Sequence, residues 1–274
     1  MLTEDSYGRR KRLEFVASAV RVEKPARILD IGCGTGANLT LPLAKLHSDV
    51  HILGVDIDAK SINYARKADH PGNVRFATLE DLQEKDAFDL VIASEVLEHV
   101  ENPPEFLDHL IELARPGGRL LVTVPNGYGP FEWCAFLEAL LHLSGMQAVL
   151  RRVKRIVIRM PPPDGEGAAP TFAVSPHINF FSRRSLLNLF DAAGLRVKRF
   201  QPTTFLCGYG LDSIIRSRKA IAWNAAVADR LPAWCASDWM FELEAGNARL
   251  EGKWRSNGWG RFRRRLNRRR WRVT

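Results

Sequence analysis

ILDIGCGTGANL, residues 28–39, decides the architecture. Ile28-Leu29-Asp30-Ile31 runs into three glycines at alternate positions, Gly32, Gly34 and Gly36, and then into a helical stretch at 37–46. A strand that turns on glycine and continues as a helix opens a strand–helix–strand unit, and glycine there lets the backbone turn tightly and approach a ligand. An acid, Asp56 in GVD, ends the next apolar run about 20 residues on, where a carboxylate can accept both ribose hydroxyls of an adenosine.

Outward from that turn, short apolar runs recur at 27–31, 51–56, 74–78, 88–94 and 119–125. Each is too short for a helix and is bounded by Gly, Pro or Asp. Helical stretches at 59–68 and 103–114 lie between them, the second with Asn102 as N-cap and Pro103 at its first position. This alternation predicts a parallel sheet with right-handed crossovers and helices on both faces, so chemistry belongs at the carboxyl ends of the strands, where strand order reverses. Residues 127–175 interrupt the pattern. Phe136, Leu140, Leu143, Leu150, Val153 and Val157 keep helical spacing, with Arg151, Arg152, Lys154, Arg155 and Arg159 in the second half, before the Pro/Gly-rich PPPDGEGAAP at 161–170. Beyond it, SRRSLLNLFDAAG predicts a helix capped by Ser182 and stopped by Gly194, LRVKRFQ and SDWMFELEA predict strands, and 212–230 is helical.

Charge is unevenly distributed. The chain of 274 residues carries 40 Lys and Arg against 31 Asp and Glu, a net +9. Residues 251–274 hold ten basic residues against Glu251 alone, so residues 1–250 are neutral. We read 1–250 as one domain, with 127–175 as a cover over the site, and 251–274 as a loosely ordered basic tail. Four separated cysteines, with no C-x-x-C pair, argue against a zinc knuckle and suggest no disulfide framework. MLTEDSYGRRKRLEF lacks the apolar core of a signal peptide, and no uninterrupted apolar stretch of about 18 residues exists. A cytoplasmic protein with peripheral membrane contact is expected.

The glycine pattern also selects the ligand. It is G-x-G-x-G with Asp30 two residues before the first glycine, where a dinucleotide turn has G-x-G-x-x-G facing a pyrophosphate. An acid at Asp30 repels a pyrophosphate and suits a cationic, amine-bearing ligand. ILDIGCGTG resembles the first motif of the class I S-adenosylmethionine-dependent methyltransferases. The resemblance continues through GVDID (54–58), FDLVIASEVLEHV (88–100), RPGGRLLVTVPN (115–126) and HINFFSRRSLLNLFDAAGL (177–195), nearest in flavour to the small-molecule O-methyltransferases of the ubiquinone pathway.

That resemblance implies an α/β, doubly wound, mostly parallel seven-stranded Rossmann-like sheet with a helical insertion after strand 5, and S-adenosylmethionine as cofactor. It implies that Asp30 meets the methionyl amine, that Gly32, Cys33, Gly34 and Gly36 let backbone pass the methionyl and ribose parts, and that Asp56 binds the ribose hydroxyls. Ile57 would pack on adenine, Ser94 would face the methionyl part, and Thr78 and Leu79 would border adenine. The family often has an acid where Thr78 stands, so Glu80 or Asp81 is the alternative partner of the adenine amino group.

Methyl transfer from a sulfonium needs an aligned acceptor and, for a hydroxyl, a base. Glu95, Glu98 and His99 follow the fourth strand directly, and His177 opens HINFF. His99 is the first candidate base because neutral imidazole acts near pH 7; Glu98 and His177 are its companions. E-x-x-E-H also matches a divalent-metal triad of the ubiquinone-pathway enzymes, but the string is widespread without metal, and the site is read as metal-free. Asn102-Pro103-Pro104-Glu105 resembles the N-P-P-[YF] motif of nucleobase amino-methyltransferases, yet lacks the aromatic residue and does not end the fourth strand. The expected acceptor is therefore a hydrophobic or lipid-linked small molecule, with anionic membrane contact through the tail. The alternatives are an RNA methyltransferase anchored by that tail and a non-catalytic scaffold of the same fold.

Overall fold

The computed structural model describes residues 5, 7–146, 175–207, 215, 217–246 and 257–271. Seven strands form one sheet: β1 (Arg27–Ile31), β2 (His51–Asp56), β3 (Val74–Thr78), β4 (Phe88–Ser94), β5 (Ala114–Pro125), β6 (Leu195–Pro202) and β7 (Asp238–Ala245). Their spatial order is β3-β2-β1-β4-β5-β7-β6, with β7 antiparallel to both neighbours and the β1–β5 pairings parallel. The order reverses between β1 and β4, so the ends of those two strands open the crevice in which ligands of such sheets bind.

The central strands β1, β4 and β7 are buried on both faces, as near-continuous apolar runs require, while the edge strand β6 is largely exposed. Leu29, Ile31, Val91, Ala93, Leu120 and Val122 pack into one core layer with α4 (Pro103–Leu113) and α6 (Arg183–Ala192). Ile28, Ile52, Leu90, Ile92 and Leu121 point the other way, against α1 (Arg9–Glu23), α2 (Thr40–Leu46) and α3 (Ala59–Lys67). Period-two alternation thus sends neighbouring residues of one strand into different layers. Three further helices are α5 (Pro130–Leu143), α7 (Arg218–Ala228) and α8 (Gly258–Trp271).

Several expectations shift. The helix after the glycine turn starts at Thr40, because residues 37–39 are spent on the turn. Asn102 stands at the N-cap of α4 without a side-chain capping bond; its Nδ2 donates to Glu105 at 2.8 Å instead. Ser182 does cap α6, in a reciprocal box with Ser185, and Gly194 follows the helix in the left-handed conformation. The expected loosely ordered tail is corrected over Gly258–Trp271, which is a helix packed beside α5. The arginines at 151–159 and the loop at 161–170 lie outside the described residues. No helix among the described residues is long and apolar enough to cross a membrane.

Candidate functional site

A cleft of about 280 Å³ opens at the switch point between β1 and β4. Asp30, Gly32, Cys33 and Ser94 line it together with Glu98, His99 and His177, so residues expected on the donor side and on the chemical side share one cavity. Gly34, Gly36, Asp56, Ile57, Thr78 and Leu79 are not among its walls.

On the β1 side, Asp30 is buried and accepts a hydrogen bond from Thr40 Oγ1 at 2.6 Å. Burial pushes its carboxyl up to about 7, with Asp56 adding to the shift and Thr40 opposing it. Gly32 has φ 77°, and a Cβ there would lie 2.4 Å from Val96 Cγ2, so only glycine fits. Gly34, also left-handed, has nothing within 4 Å of the place a Cβ would take, which leaves an open face beside its amide. Asp56 fastens the loop: Oδ2 accepts from Gly34 N at 2.7 Å and Oδ1 from Asp58 N at 2.8 Å. Each oxygen keeps a second lone pair for a ligand hydroxyl. Cys33 donates its amide to Val55 O at 3.0 Å, and burial raises its thiol well above the ordinary range, so it is no nucleophile. Gly36 sits against Phe76. Ile57 is 81% exposed, a large apolar side chain presented to solvent beside Asp56. Thr78 Oγ1 is taken up by Asp81 at 2.7 Å, and Leu79 packs against the core at the start of a short 3₁₀ turn.

On the β4 side, Ser94 Oγ bonds Thr123 Oγ1 at 3.0 Å, and Thr123 donates to Glu95 Oε1 at 2.7 Å. Glu95 adopts φ 58°, a left-handed conformation unusual outside glycine, and ends the strand abruptly. The turn that follows is laced to the segment around His177. The amides of Ile178 and Asn179 both donate to Glu98 O at 2.9 Å, and Asn179 Nδ2 donates to Leu97 O at 3.1 Å and Val100 O at 2.6 Å. These bonds set the rings of His99 and His177 edge to face, with centroids 4.9 Å apart.

The two histidines differ in charge. His99 Nδ1–H donates to Pro176 O at 3.1 Å, which leaves the lone pair on Nε2. Burial and the neighbouring His177 cation lower it to about 4. For His177, burial also opposes the charge, but Glu132 outweighs it and raises the ring to about 9. His177 Nδ1–H donates to Glu132 Oε1 at 2.5 Å. Glu98 is 1% exposed, its carboxyl oxygens have no hydrogen-bond partner among the described residues, and burial with Glu95 nearby drives it well above the ordinary carboxylate range. Its Oε1 stands 3.7 Å from His99 Nε2.

The metal triad suggested by E-x-x-E-H is not assembled as such, because Glu95 turns away to Thr123 and to Arg12 Nη2 at 3.2 Å. Glu98, His99 and His177 instead bring one oxygen and two ring nitrogens within 4.8 Å of one another, a donor set compatible with a divalent cation.

Arg12, Glu132 and Asp238 also belong to the site and were not expected from the sequence. Arg12, from α1, lines the cleft; burial opposes its charge, while Glu95, Asp238 and Glu98 reinforce it. Asp238 opens β7 opposite Pro125, where burial and Glu95 push its carboxyl up to about 6. Spacing carries a signal only for α1, in which Leu13, Val16, Ala17 and Val20 form one buried stripe.

Comparisons with known proteins follow the same lines. A family model described as a methyltransferase domain matches residues 6–199. Ubiquinone biosynthesis O-methyltransferase of Bradyrhizobium sp. (strain ORS 278) is 32% identical over 149 residues, 53% of this chain and 55% of that protein. The protein of the same name from Xylella fastidiosa (strain M23) is 28% identical over 191 residues, 68% and 70% of the two chains. The chain thus spans about half the length of the first of these relatives. Among solved structures, the [4+2]-cyclase SpnF superposes with a TM-score of 0.52 at 16% identity, covering 87% of this chain and 81% of that one. A putative sarcosine dimethylglycine methyltransferase from Galdieria sulphuraria gives 0.51 at 14%, covering 86% of each. These structural likenesses concern the fold alone.

Proposed function

Since the chain belongs to the class I S-adenosylmethionine-dependent methyltransferases, we propose that it methylates an oxygen of a small hydrophobic or lipid-linked acceptor. S-adenosylmethionine supplies a methyl group on a sulfonium that is already activated for in-line displacement. Asp30 pairs with the methionyl ammonium, and Arg12 across the cleft takes the carboxylate. Asp56 accepts the ribose hydroxyls, Gly34 gives them room, and Ser94 faces the methionyl part. Ile57 covers adenine, and Thr78 with Asp81 borders its amino edge.

One observation carries the acceptor chemistry: a buried carboxyl with no partner faces an unprotonated ring nitrogen across 3.7 Å. Buried polar groups left unpaired are costly. An acceptor hydroxyl entering between Glu98 and His99 gives both a partner, and its proton passes to His99 Nε2 as the oxygen attacks. His99 is free to accept that proton at neutral pH, and His177 with Glu132 holds the opposite wall.

Phe131 lines the cleft, and Trp133, Leu137 and Leu140, on the other side of the same helix, are 52%, 57% and 40% exposed, an apolar patch suited to an apolar surface that carries the acceptor. Phe262, 47% exposed and close in helical register to Arg265 and Arg269, extends that patch toward an anionic bilayer surface. Incubation with radiolabelled methyl donor and a fractionated cell extract tests the reading. Label entering the lipid or apolar metabolite fraction supports it, whereas label confined to RNA or protein sinks it.

A further inference from the structure

The arginine-rich helix α8 turns one face onto Glu132 and the strip 177–179, behind the cleft wall. Arg263 is 5% exposed. Its Nη2 donates to Glu132 Oε2 at 2.5 Å and to Glu132 O at 3.1 Å, its Nη1 donates to Gly127 O at 2.5 Å, and the guanidinium lies over the Phe180 ring, 3.8 Å from the centroid. Arg264 donates to Ile178 O at 2.9 Å and to Asn179 Oδ1 at 2.7 Å. One turn on, Asn267 donates to His177 O at 2.9 Å, and Arg268 pairs with Glu101. Positions 263, 264, 267 and 268 form one helical face, and that face meets the strip 177–179 and the acid that holds His177.

We infer that α8 is a positioning element of the catalytic centre: Arg263, acting through Glu132, fixes the His177 ring against Glu98 and His99, while Arg264 and Asn267 fix the backbone that carries it. The inference rests on the proposed role of Glu98 and His99. Glu132 accepts from both neighbours, one on each oxygen, so the relay Arg263–Glu132–His177 has a single geometry. Donating from two nitrogens to Glu132 and Gly127 and stacked on Phe180 at once, the guanidinium cannot be replaced by an unbranched cation without loss. Arginines engaged in this way are not free to grip phosphates, so the inward face of the helix serves the support of His177.

The test needs no acceptor and therefore stands apart from the proposed activity. The full chain, labelled with 15N at histidine, is examined by NMR for the exchange-protected Nδ1–H of His177, assigned by its loss in His177→Gln. Arg263→Met and Glu132→Gln are expected to shift that resonance or lose it to exchange, and Arg263→Lys to restore it in part. Arg265→Met, on the exposed side of the helix, should leave it in place. Calorimetry with S-adenosylmethionine should give Arg263→Met an affinity within about twofold of wild type, since the contacts of Asp30 and Asp56 are untouched. An unchanged His177 signal in Arg263→Met, or an equal change in Arg265→Met, overturns the inference. Should Arg263→Met not fold, Arg264→Met provides the second readout. Amide exchange at Ile178 and Asn179 should then accelerate at least tenfold, and unaltered protection overturns the inference.

Discussion

Asp30, Gly32 and Cys33 reach the cleft from one short run of chain, whereas Arg12, Glu98 and His177 arrive from three separate places, with Glu132 and Arg263 behind His177 from two more. The first half is a local device. Its strand, turn and helix are specified by neighbouring residues, and one acid at the next strand end, Asp56, fastens it through Gly34. The second half exists only after the sheet has closed, because Arg263 meets Glu132 across 131 positions of sequence and Glu132 meets His177 across 45. On the proposed reading, the glycine turn's share of donor binding is encoded by contiguous sequence, whereas the groups that handle the acceptor, and Arg12 on the donor's carboxylate, are brought in by tertiary contact.

Breaking the assembled half should give the largest effect. His99→Gln is expected to lower turnover by roughly 10²–10⁴-fold, the usual worth of a general base, with S-adenosylmethionine affinity near wild type. Methyl-transfer assays beside calorimetry check this, and a matching loss of affinity would abolish the proposed division. Breaking the local half should do the reverse. Asp30→Asn removes the charge proposed to face the methionyl ammonium and should weaken the cofactor by about 10–100-fold, the range of a charged hydrogen bond.

Asp30 also sharpens the contrast through pH. Its folded value, about 7, lies above the ordinary 3.8, so the folded state holds the proton more tightly than the unfolded chain. The stability it contributes is present below pH 3.8 and is lost as pH rises towards 7. Ligand-free Asp30→Asn should consequently melt at a higher temperature than wild type at pH 8, with the difference gone at pH 4. Cofactor affinity should move oppositely in the wild type, falling as pH drops from 8 to 6 and the carboxyl takes up its proton. Paired melting curves and calorimetric titrations report both signs. The smallest effect is expected at Ile57→Ala, where the side chain is already exposed. Stability should change by no more than about 0.5 kcal/mol, while affinity falls a few-fold.

The same division explains what could be read from the sequence. β1 to β4, the glycine turn and the cap of α6 follow from periodicity and turn chemistry. The EVLEH turn reaches the expected edge, because a strand's end places whatever follows it. Arg263 is another matter, since nothing in RFRRRLNRRR distinguishes it from Arg265; only the docking angle of the helix buries one and exposes the other. Glu132 stands next to a strongly apolar run, where pairing across space alone makes an acid tolerable. For α1 the stripe of Leu13, Val16, Ala17 and Val20 was available. That it delivers Arg12 to the cleft depends on packing over the far side of the sheet.

Glu132 sits between a ring and a guanidinium contributed by residues far later in the chain, and this has a consequence for synthesis. Proteins emerge from the ribosome N-terminus first. A nascent chain extruded as far as residue 132 holds every residue proposed for the donor pocket, yet it carries Glu132 without His177 or Arg263. On the proposed reading, catalytic competence arrives late, once the stretch around residue 263 has cleared the tunnel and seated itself.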